Sequence, residues 1–181
     1  MSEVKVRSES LKRIHAIMKE NQKKGIEHYY LFLDFDGVIN VFIDPDSENA
    51  EKILKQRAEE FDFADRDCVK RLDDLLRDYP IDVVISSSWR WNGLDYCIDY
   101  LKKAGLQETD KIIGSTKIEY NVPRQQEIAD YLLEHPDFSG FLIFDDIPMP
   151  EYQEEWVETH PFQGYDKERD SYARKLITSF A

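Results

Sequence analysis

The feature that most constrains the fold is a short apolar run that ends in two carboxylates. Residues 29–33 are aromatic or aliphatic, and Asp34, Phe35, Asp36 and Gly37 follow them at once. A run of this length and composition predicts a buried β-strand rather than a helix. Asp34 and Asp36 then lie where a central strand gives way to a loop, which is where ligands bind in open α/β sheets. The alternative interpretation is a plain strand end with solvated acids and a glycine turn.

Further polar groups stand at the ends of other predicted elements. A second apolar run, residues 81–85, ends in serines that begin with Ser86 and Ser87, and a third, residues 140–144, ends in Asp145 and Asp146. Between these runs, Pro123 at the expected start of a helix places Arg124 in the first turn. Acids, a hydroxyl and a cation at such junctions predict one shared polar site.

The remaining periodicity predicts an α/β fold. Amphipathic or apolar-faced helices are expected over residues 8–24, 66–79, 94–104, 123–134 and 167–178, and further short strands over 111–114 and 156–158. Strands that alternate with helices of about 10–15 residues predict a three-layer, Rossmann-like parallel sheet with helices on both faces. We expect a single domain over residues 1–181, with an N-terminal helix within residues 1–25. Residues 40–65, which follow the first predicted strand and are termed the insert below, are a charged stretch with few apolar anchors.

Composition narrows the class of protein. With 41% hydrophobic and 34% charged residues, the chain is typical of ordinary globular proteins. No apolar run approaches the roughly 20 residues that span a bilayer, so no membrane partner is expected. The first residues lack the apolar core of a secretory signal. Cys68 and Cys97 are too few for a disulfide framework, which makes a reducing cytoplasm the simplest compartment.

The charge balance bears on the partner. Acidic residues outnumber basic ones 37 to 24, and the net charge is −13. Nonspecific nucleic-acid binding depends on Lys and Arg side chains that neutralise phosphates. The balance therefore argues against an extended duplex-binding surface, although it is compatible with a local basic pocket. The oligomeric state is left open.

Taken together, these motifs resemble the haloacid-dehalogenase (HAD) superfamily of phosphotransferases. Residues 34–38 are similar to its first motif, Ser86 to its second and Asp145-Asp146 to its fourth. The third motif is usually a lysine, and Arg124 and Lys117 are the two candidates for it here. Residues 85–90, combined with the Asp145-Asp146 pair, are also similar to the corresponding segments of the phosphatase-like domains of RNA-repair proteins. The resemblance covers residues 29–178 and implies a HAD-like fold that is capless or carries only a small flap over residues 40–65.

The resemblance implies a phosphomonoesterase that works through an aspartyl-phosphate. Asp34 is the expected nucleophile. Asp36 is the expected general acid for the leaving oxygen and the later base for water. Ser86 and the backbone N–H groups after it are expected to bind phosphate oxygens. Arg124 or Lys117 is expected to balance the charge of the transferring group.

A metal ion follows from the same set of acids. Carboxylates that converge on a phosphate repel it unless a hard cation such as Mg²⁺ is present. The resemblance implies that Asp34, Asp145 and the backbone carbonyl of Asp36 are Mg²⁺ ligands, with Asp146 bound through water or orienting the shell. Which of Asp145 and Asp146 binds the ion directly stays open.

Several neighbouring residues have two interpretations. Ser87 and Arg90 are candidate substrate contacts, but for Arg90 a structural salt bridge is the favoured interpretation. Trp89 and Trp91 predict either a stacking shelf for a base or core packing beneath the second motif. His160, in the loop after the last predicted strand, is a further candidate for contact with substrate.

The substrate is a phosphate ester of undetermined kind. A nucleic-acid end or nucleotide is favoured by the resemblance, whereas the charge balance favours a small metabolite. A third alternative is a catalytically silent module that has kept the metal pocket for a regulatory purpose.

Overall fold

A computed structural model of the protein describes residues 8–180, and these residues contain a five-stranded sheet. Its strands are β1 (Tyr29–Leu33), β2 (Ile81–Ile85), β3 (Ile112–Ser115), β4 (Gly140–Asp145) and β5 (Trp156–Glu158). Every pairing is parallel, and the order in space is β3-β2-β1-β4-β5. The predicted α/β fold with a parallel sheet is confirmed, with β1 at its centre.

Helices cover the sheet. They are α1 (Ser8–Lys23), α2 (Ala50–Glu60), α3 (Arg66–Asp78), α4 (Leu94–Ala104), α5 (Arg124–Glu134) and α6 (Lys167–Phe180). Of the N-terminal helix predicted within residues 1–25, the part from residue 8 is α1, and residues 1–7 lie outside the described residues. None of the helices between residues 8 and 180 has both the length and the apolar character that crossing a membrane requires.

The side chains of β1 show that the helices lie on both faces. Tyr30 and Phe32 pack edge-on against Tyr131 of α5. Tyr29 instead contacts Phe180 of α6. Successive side chains of a strand point to opposite faces, so α5 and α6 lie on opposite sides of the sheet. All residues of β1 and β4 are buried, as expected for the middle of a covered parallel sheet.

The insert after β1 contains regular structure that the sequence pattern did not predict. Helix α2 lies within it, and most of its residues are exposed. Its Lys, Glu, Gln and Ala residues favour a helix by propensity, but they carry no apolar stripe that would announce one. The Arg57 Nη1 donates to the carbonyl of Val41 at 2.6 Å, which ties α2 to the start of the insert. A backbone bridge between Asn40 and Ala64 joins the two ends of the insert.

Candidate active site

Three strands end at nearly the same level at the carboxyl edge of the sheet. Leu33, the last residue of β1, pairs with the last residue of β2 and with the next-to-last residue of β4. Asp34, Ser86 and Asp145 therefore stand side by side, with Asp34 in the middle. The sheet itself thus gathers the candidate residues of the first, second and fourth motifs.

Arg124 joins the two acids of this row. Its Nη1 lies 2.8 Å from Oδ2 of Asp34 and 2.6 Å from Oδ2 of Asp145. The other oxygen of Asp34 accepts the backbone N–H of Phe35 at 2.8 Å. Arg124 is the first residue of α5, so the guanidinium and the positive end of the helix dipole lie at the same edge.

Charge within this cluster is unbalanced. Burial alone would lower the pKa of the Arg124 guanidinium, but the charges of Asp34 and Asp145 raise that pKa above its usual range. Burial, followed by the charge of Asp34, raises the pKa of Asp145 to about 6 even though Arg124 opposes the shift. Burial and Asp34 also raise the pKa of Asp146. One guanidinium therefore leaves an excess of negative charge.

The carboxylates form a set of oxygen donors suited to a metal. One oxygen from each of Asp34, Asp145 and Asp146 lies within 4.8 Å of the others, and the first two residues are buried. Mg²⁺ prefers carboxylate oxygens and retains several of its waters. The donor chemistry and the uncompensated charge fit such an ion. The side chain of Asp36 is not part of this set. For Asp36 the resemblance implies a metal contact through the backbone carbonyl.

Gly37 shapes the place that Asp146 occupies. Its φ is +78°, in the left-handed region that side chains rarely adopt. A Cβ at this position would lie 2.4 Å from Oδ2 of Asp146. The carboxylate of Asp146 therefore lies directly over the Gly37 backbone, and only glycine permits that approach.

Two donors orient the carboxylate of Asp36. Asn40 Nδ2 donates to Oδ1 at 2.9 Å, and the indole Nε1 of Trp89 donates to Oδ2 at 2.9 Å. The hydroxyl of Tyr100 donates to Oδ1 of Asn40 at 2.7 Å and so fixes the direction of the amide. The bond from Trp89 was not predicted, because its signal in the sequence is only an aromatic residue close to the second motif.

The two tryptophans near the second motif have different environments. Trp89 is half-buried, with ring centroids 4.5 Å from Tyr100 and 5.5 Å from Phe35, which agrees with the packing interpretation. Trp91 is 58% exposed and lies 6.1 Å from the exposed Tyr120. A stacking shelf formed by both tryptophans is therefore not what the structure presents.

The serines after β2 have separate surroundings. Ser86 is fully buried, and within residues 8–180 its Oγ has no hydrogen-bond partner. Buried hydroxyls are normally paired, so this one calls for a ligand with an acceptor. Ser87 is also buried, but its Oγ accepts the N–H of Trp89 at 3.3 Å at the start of a short 3₁₀ helix, Ser88–Asn92. The side chain of Ser87 thus caps a helix, and its predicted substrate contact stays a prediction.

Arg90 contacts groups of the protein itself, as in the structural one of its two interpretations. It is buried, and its guanidinium is directed to acceptors of the protein: the carbonyls of Ser86, Ser87, Thr116 and Lys117, and Oε2 of Glu127 at 2.6 Å. A guanidinium has five N–H donors, which matches these five acceptors. Arg90 therefore ties the loops after β2 and β3 to α5, as the structural interpretation predicted.

The two candidates for the third-motif cation have different contacts. Arg124 contacts Asp34 and Asp145, whereas Lys117 has a side chain that is 64% exposed and paired with Glu134. The hydrogen bond that Lys117 Nζ donates to the Glu134 carboxylate raises the pKa of Lys117. Among the described contacts of Lys117 there is none with the acids of the site.

Other hydroxyls at this edge had no motif to reveal them. Thr116 follows β3 and Thr159 follows β5, and both are buried with no partner for Oγ1 among the described residues. His160 comes next to Thr159, but its Nδ1 accepts the N–H of Phe162 within its own loop at 3.3 Å. A contact of His160 with substrate stays a prediction.

Comparison with known proteins gives one family. A family model described as the HAD domain in Swiss Army Knife RNA repair proteins matches residues 30–169. The matched span contains all of the acids, the hydroxyls and the arginine described above. No curated protein and no solved structure gives a match to the chain.

Proposed function

The chain belongs to the HAD domains of Swiss Army Knife RNA repair proteins, and from this premise we propose that it is a Mg²⁺-dependent phosphomonoesterase. The family supports a hydrolase of the phosphatase type. The observation that carries the proposal is that the carboxylates of Asp34, Asp145 and Asp146 lie together with more negative charge than Arg124 can balance. The hydroxyl of Ser86, which has no partner among the described residues, belongs to the same edge of the sheet. Such a site suits a cation and a phosphate together.

In the first step, an oxygen of Asp34 attacks phosphorus while the bond from phosphorus to the leaving oxygen breaks. Asp36 transfers its proton to that oxygen, so an alcohol departs and a phosphoryl group remains on Asp34. Arg124 and the N–H of Phe35 restrict rotation of the Asp34 carboxylate while leaving it lone pairs for the attack. Ser86 donates to a nonbridging oxygen.

In the second step, Asp36 accepts a proton from a water molecule, which attacks the phosphoryl group on Asp34. The bond between Asp34 and phosphorus breaks, inorganic phosphate leaves, and both carboxyl groups return to their initial states. Asp34, Asp145 and Asp146 would hold Mg²⁺, with the backbone carbonyl of Asp36. When bound, the ion would offset the carboxylate charge and stabilise charge on the transferring group.

For the substrate we propose a phosphorylated nucleic-acid end or a nucleotide. The family is that of HAD domains in RNA repair proteins, which supports this class. The net charge of −13 favours a small metabolite as the second candidate, because a long polyanion would be repelled. A short end that enters the site alone is compatible with both observations.

The test is hydrolysis of p-nitrophenyl phosphate with Mg²⁺, and its loss when EDTA is added. In the Asp34→Asn variant kcat should fall by at least about a thousandfold, because the nucleophile is gone. Asp46→Asn, an exposed acid in the insert, is the matched control and should retain activity. Acid quenching followed by mass spectrometry should find the phosphoryl group on the peptide that contains Asp34.

A silent regulatory module makes the opposite prediction. It would bind Mg²⁺ but turn over neither p-nitrophenyl phosphate nor any phosphorylated nucleotide. Such a result, with a folded protein, would overturn the proposed function. A panel of 3′- and 5′-phosphorylated oligonucleotides, mononucleotides and sugar phosphates separates the two substrate classes.

A further inference from the structure

A cavity of about 330 Å³ opens between the insert and the second-motif loop. Its apolar lining consists of Val41, Phe42, Ile43, Leu54, Phe63 and Trp89. Asp36, Asn40 and Arg57 supply the only polar side chains of the described lining. A volume of this size is at the lower end of the range of small-molecule sites, about 300–1,000 Å³.

The walls of the cavity are held by contacts within the protein. Arg57 is fixed by its bond to the carbonyl of Val41, and the N–H of Phe42 donates to the carbonyl of Pro161 at 2.8 Å. The ring of Trp89 is held by its own aromatic neighbours and by its bond to Asp36. The cavity is therefore preformed rather than dependent on closure of a loop.

The position of Asp36 connects this cavity to the reaction. A general acid must lie next to the oxygen that leaves with the alcohol. Because the carboxylate of Asp36 lines the cavity, the carbon atoms attached to that oxygen extend into it. Asp34, which receives the phosphoryl group, is not part of the lining.

We propose that this cavity is a leaving-group subsite that binds the base of a nucleoside carrying a terminal phosphate. The inference rests on the proposed function, which places the leaving oxygen at Asp36. Flat aromatic rings stack on side chains such as Trp89 and Phe42, and Phe42 is 49% exposed. Leu54, which is 46% exposed, would be covered in the same way.

A leaving group that consists of a sugar or glycerol alone fits the lining less well than a nucleoside, because it brings hydroxyls but no flat base to cover the apolar wall. Its hydroxyls would lose hydrogen bonds to water against an apolar wall, which is costly. Asn40 offers little compensation, since its Nδ2 donates to Asp36 and its Oδ1 accepts from Tyr100. The subsite thus discriminates by the character of the leaving group and not by the phosphate.

The experiment compares kcat/KM for acetyl phosphate, glycerol 3-phosphate, glucose 6-phosphate, and 3′- and 5′-nucleoside monophosphates. The last four have alcohol leaving groups, so differences among them report binding rather than bond strength. At least one nucleotide should exceed both polar esters by about tenfold or more. Short oligonucleotides with a 3′- or 5′-phosphate form a further arm. If mononucleotides or oligonucleotide ends rank first, the subsite is supported in either case, and the ranking identifies the source of the nucleoside.

Two neighbouring substitutions on α2 provide a matched pair. Leu54→Trp fills the cavity and should lower the ratio of kcat/KM for the nucleotide to that for acetyl phosphate by about tenfold. Ile53→Trp adds the same ring outside the lining and should leave this ratio unchanged. If Leu54→Trp fails to fold, binding of the unphosphorylated nucleoside to the wild type and to Phe42→Ala, measured by calorimetry, replaces it. The Phe42→Ala variant should bind the nucleoside several-fold more weakly.

The outcomes separate the two proposals. Absence of turnover with every phosphate ester overturns the proposed function, and the subsite falls with it. Turnover with equal kcat/KM for nucleotides and polar esters overturns the subsite alone. The same conclusion follows if Leu54→Trp and Ile53→Trp change the ratio equally, or if Phe42→Ala binds the nucleoside as tightly as the wild type.

Discussion

The indole Nε1 of Trp89 donates a 2.9 Å hydrogen bond to Oδ2 of Asp36, although 53 residues separate the two in the chain. The ring cannot turn freely, because it packs against Tyr100 and Phe35. An aromatic cluster of the core thereby sets the orientation of the proposed general acid. Trp89 is a positioning residue in this scheme, since it acts through Asp36.

Trp89→Phe should impair catalysis in a way that depends on the leaving group. The substitution keeps an aromatic ring but removes the five-membered part of the indole with its N–H donor, so Asp36 loses one of two orienting bonds. For alkyl phosphates, which need a proton on the leaving oxygen, kcat should fall by about tenfold, part of what general acid catalysis contributes. For 2,4-dinitrophenyl phosphate, whose leaving group departs without a proton, kcat should change little.

Trp91→Phe is the control, because Trp91 is exposed and no described hydrogen bond joins it to Asp36. It should leave the dependence on leaving group unchanged. An equal fall in kcat for both kinds of ester in Trp89→Phe would show that the ring acts only through packing.

Arg124→Gln should destabilise the protein in EDTA. Without Arg124, Asp34 and Asp145 form a buried pair of like charges that no described cation neutralises. Loss of one partner from a buried ion pair costs about 3–5 kcal/mol of unfolding free energy. Denaturant titration in EDTA measures the loss, and added Mg²⁺ should recover part of it by linkage.

Lys117→Gln tests the other third-motif candidate. The exposed pair of Lys117 with Glu134 is expected to contribute little to stability, because solvent screens it. Phosphatase activity should survive in Lys117→Gln and be lost in Arg124→Gln. The reverse result would reassign the third motif to Lys117.

Gly37→Ala should weaken Mg²⁺ binding, because the new Cβ would displace the carboxylate of Asp146. Gly25→Ala is a matched control for backbone strain, since Gly25 has a similar φ of +71° and nothing within 4 Å of its Cβ position. Each substitution should cost about 1–2 kcal/mol of stability through positive φ. Calorimetric titration with Mg²⁺ should find reduced affinity only in Gly37→Ala; equal affinity in both variants would contradict the assignment of Asp146.

His15 should make stability depend on pH near neutrality. The hydrogen bond that His15 Nε2 donates to the Glu155 carboxylate raises the pKa of His15 above 6.5. Burial lowers this pKa, the charges of Glu155 and Glu154 raise it further, and the charge of Lys19 lowers it. The folded pKa exceeds the unfolded one, so the stabilisation is complete below about 6.5 and is lost as pH rises through the folded value. Because the His15 side chain is 43% exposed, the contribution should stay below about 1 kcal/mol.

Denaturant titrations at pH 5.5 and pH 8.5 test this expectation. The stability difference between wild type and His15→Gln should be larger at the lower pH. His160→Gln, in which the altered histidine has no carboxylate partner among the described contacts, should show no such change with pH. If the stability difference between wild type and His15→Gln is the same at both pH values, the protonated His15–Glu155 pair does not stabilise the protein.

Outside the insert, local periodicity was sufficient to predict the order of the strands and α-helices. The predicted strand over residues 111–114 and the helix over residues 94–104 lie within one residue of β3 and α4. A buried strand or a buried helix face produces an apolar pattern in residues that are close in sequence. Such a pattern can be recognised without knowledge of the tertiary structure. The insert shows the limit, because α2 buries almost nothing and leaves no apolar pattern.

What the sequence alone determined is the set of polar groups at the carboxyl edge of the sheet and, through their motifs, the family. Only the tertiary structure placed Arg124, rather than Lys117, beside Asp34 and Asp145, directed Arg90 to internal acceptors and joined Trp89 to Asp36. The physical reason is that strand-end positions follow from the local alternation of elements. A hydrogen bond or ion pair between distant residues depends instead on the paths of the loops and on the direction of each side chain, to angstrom accuracy.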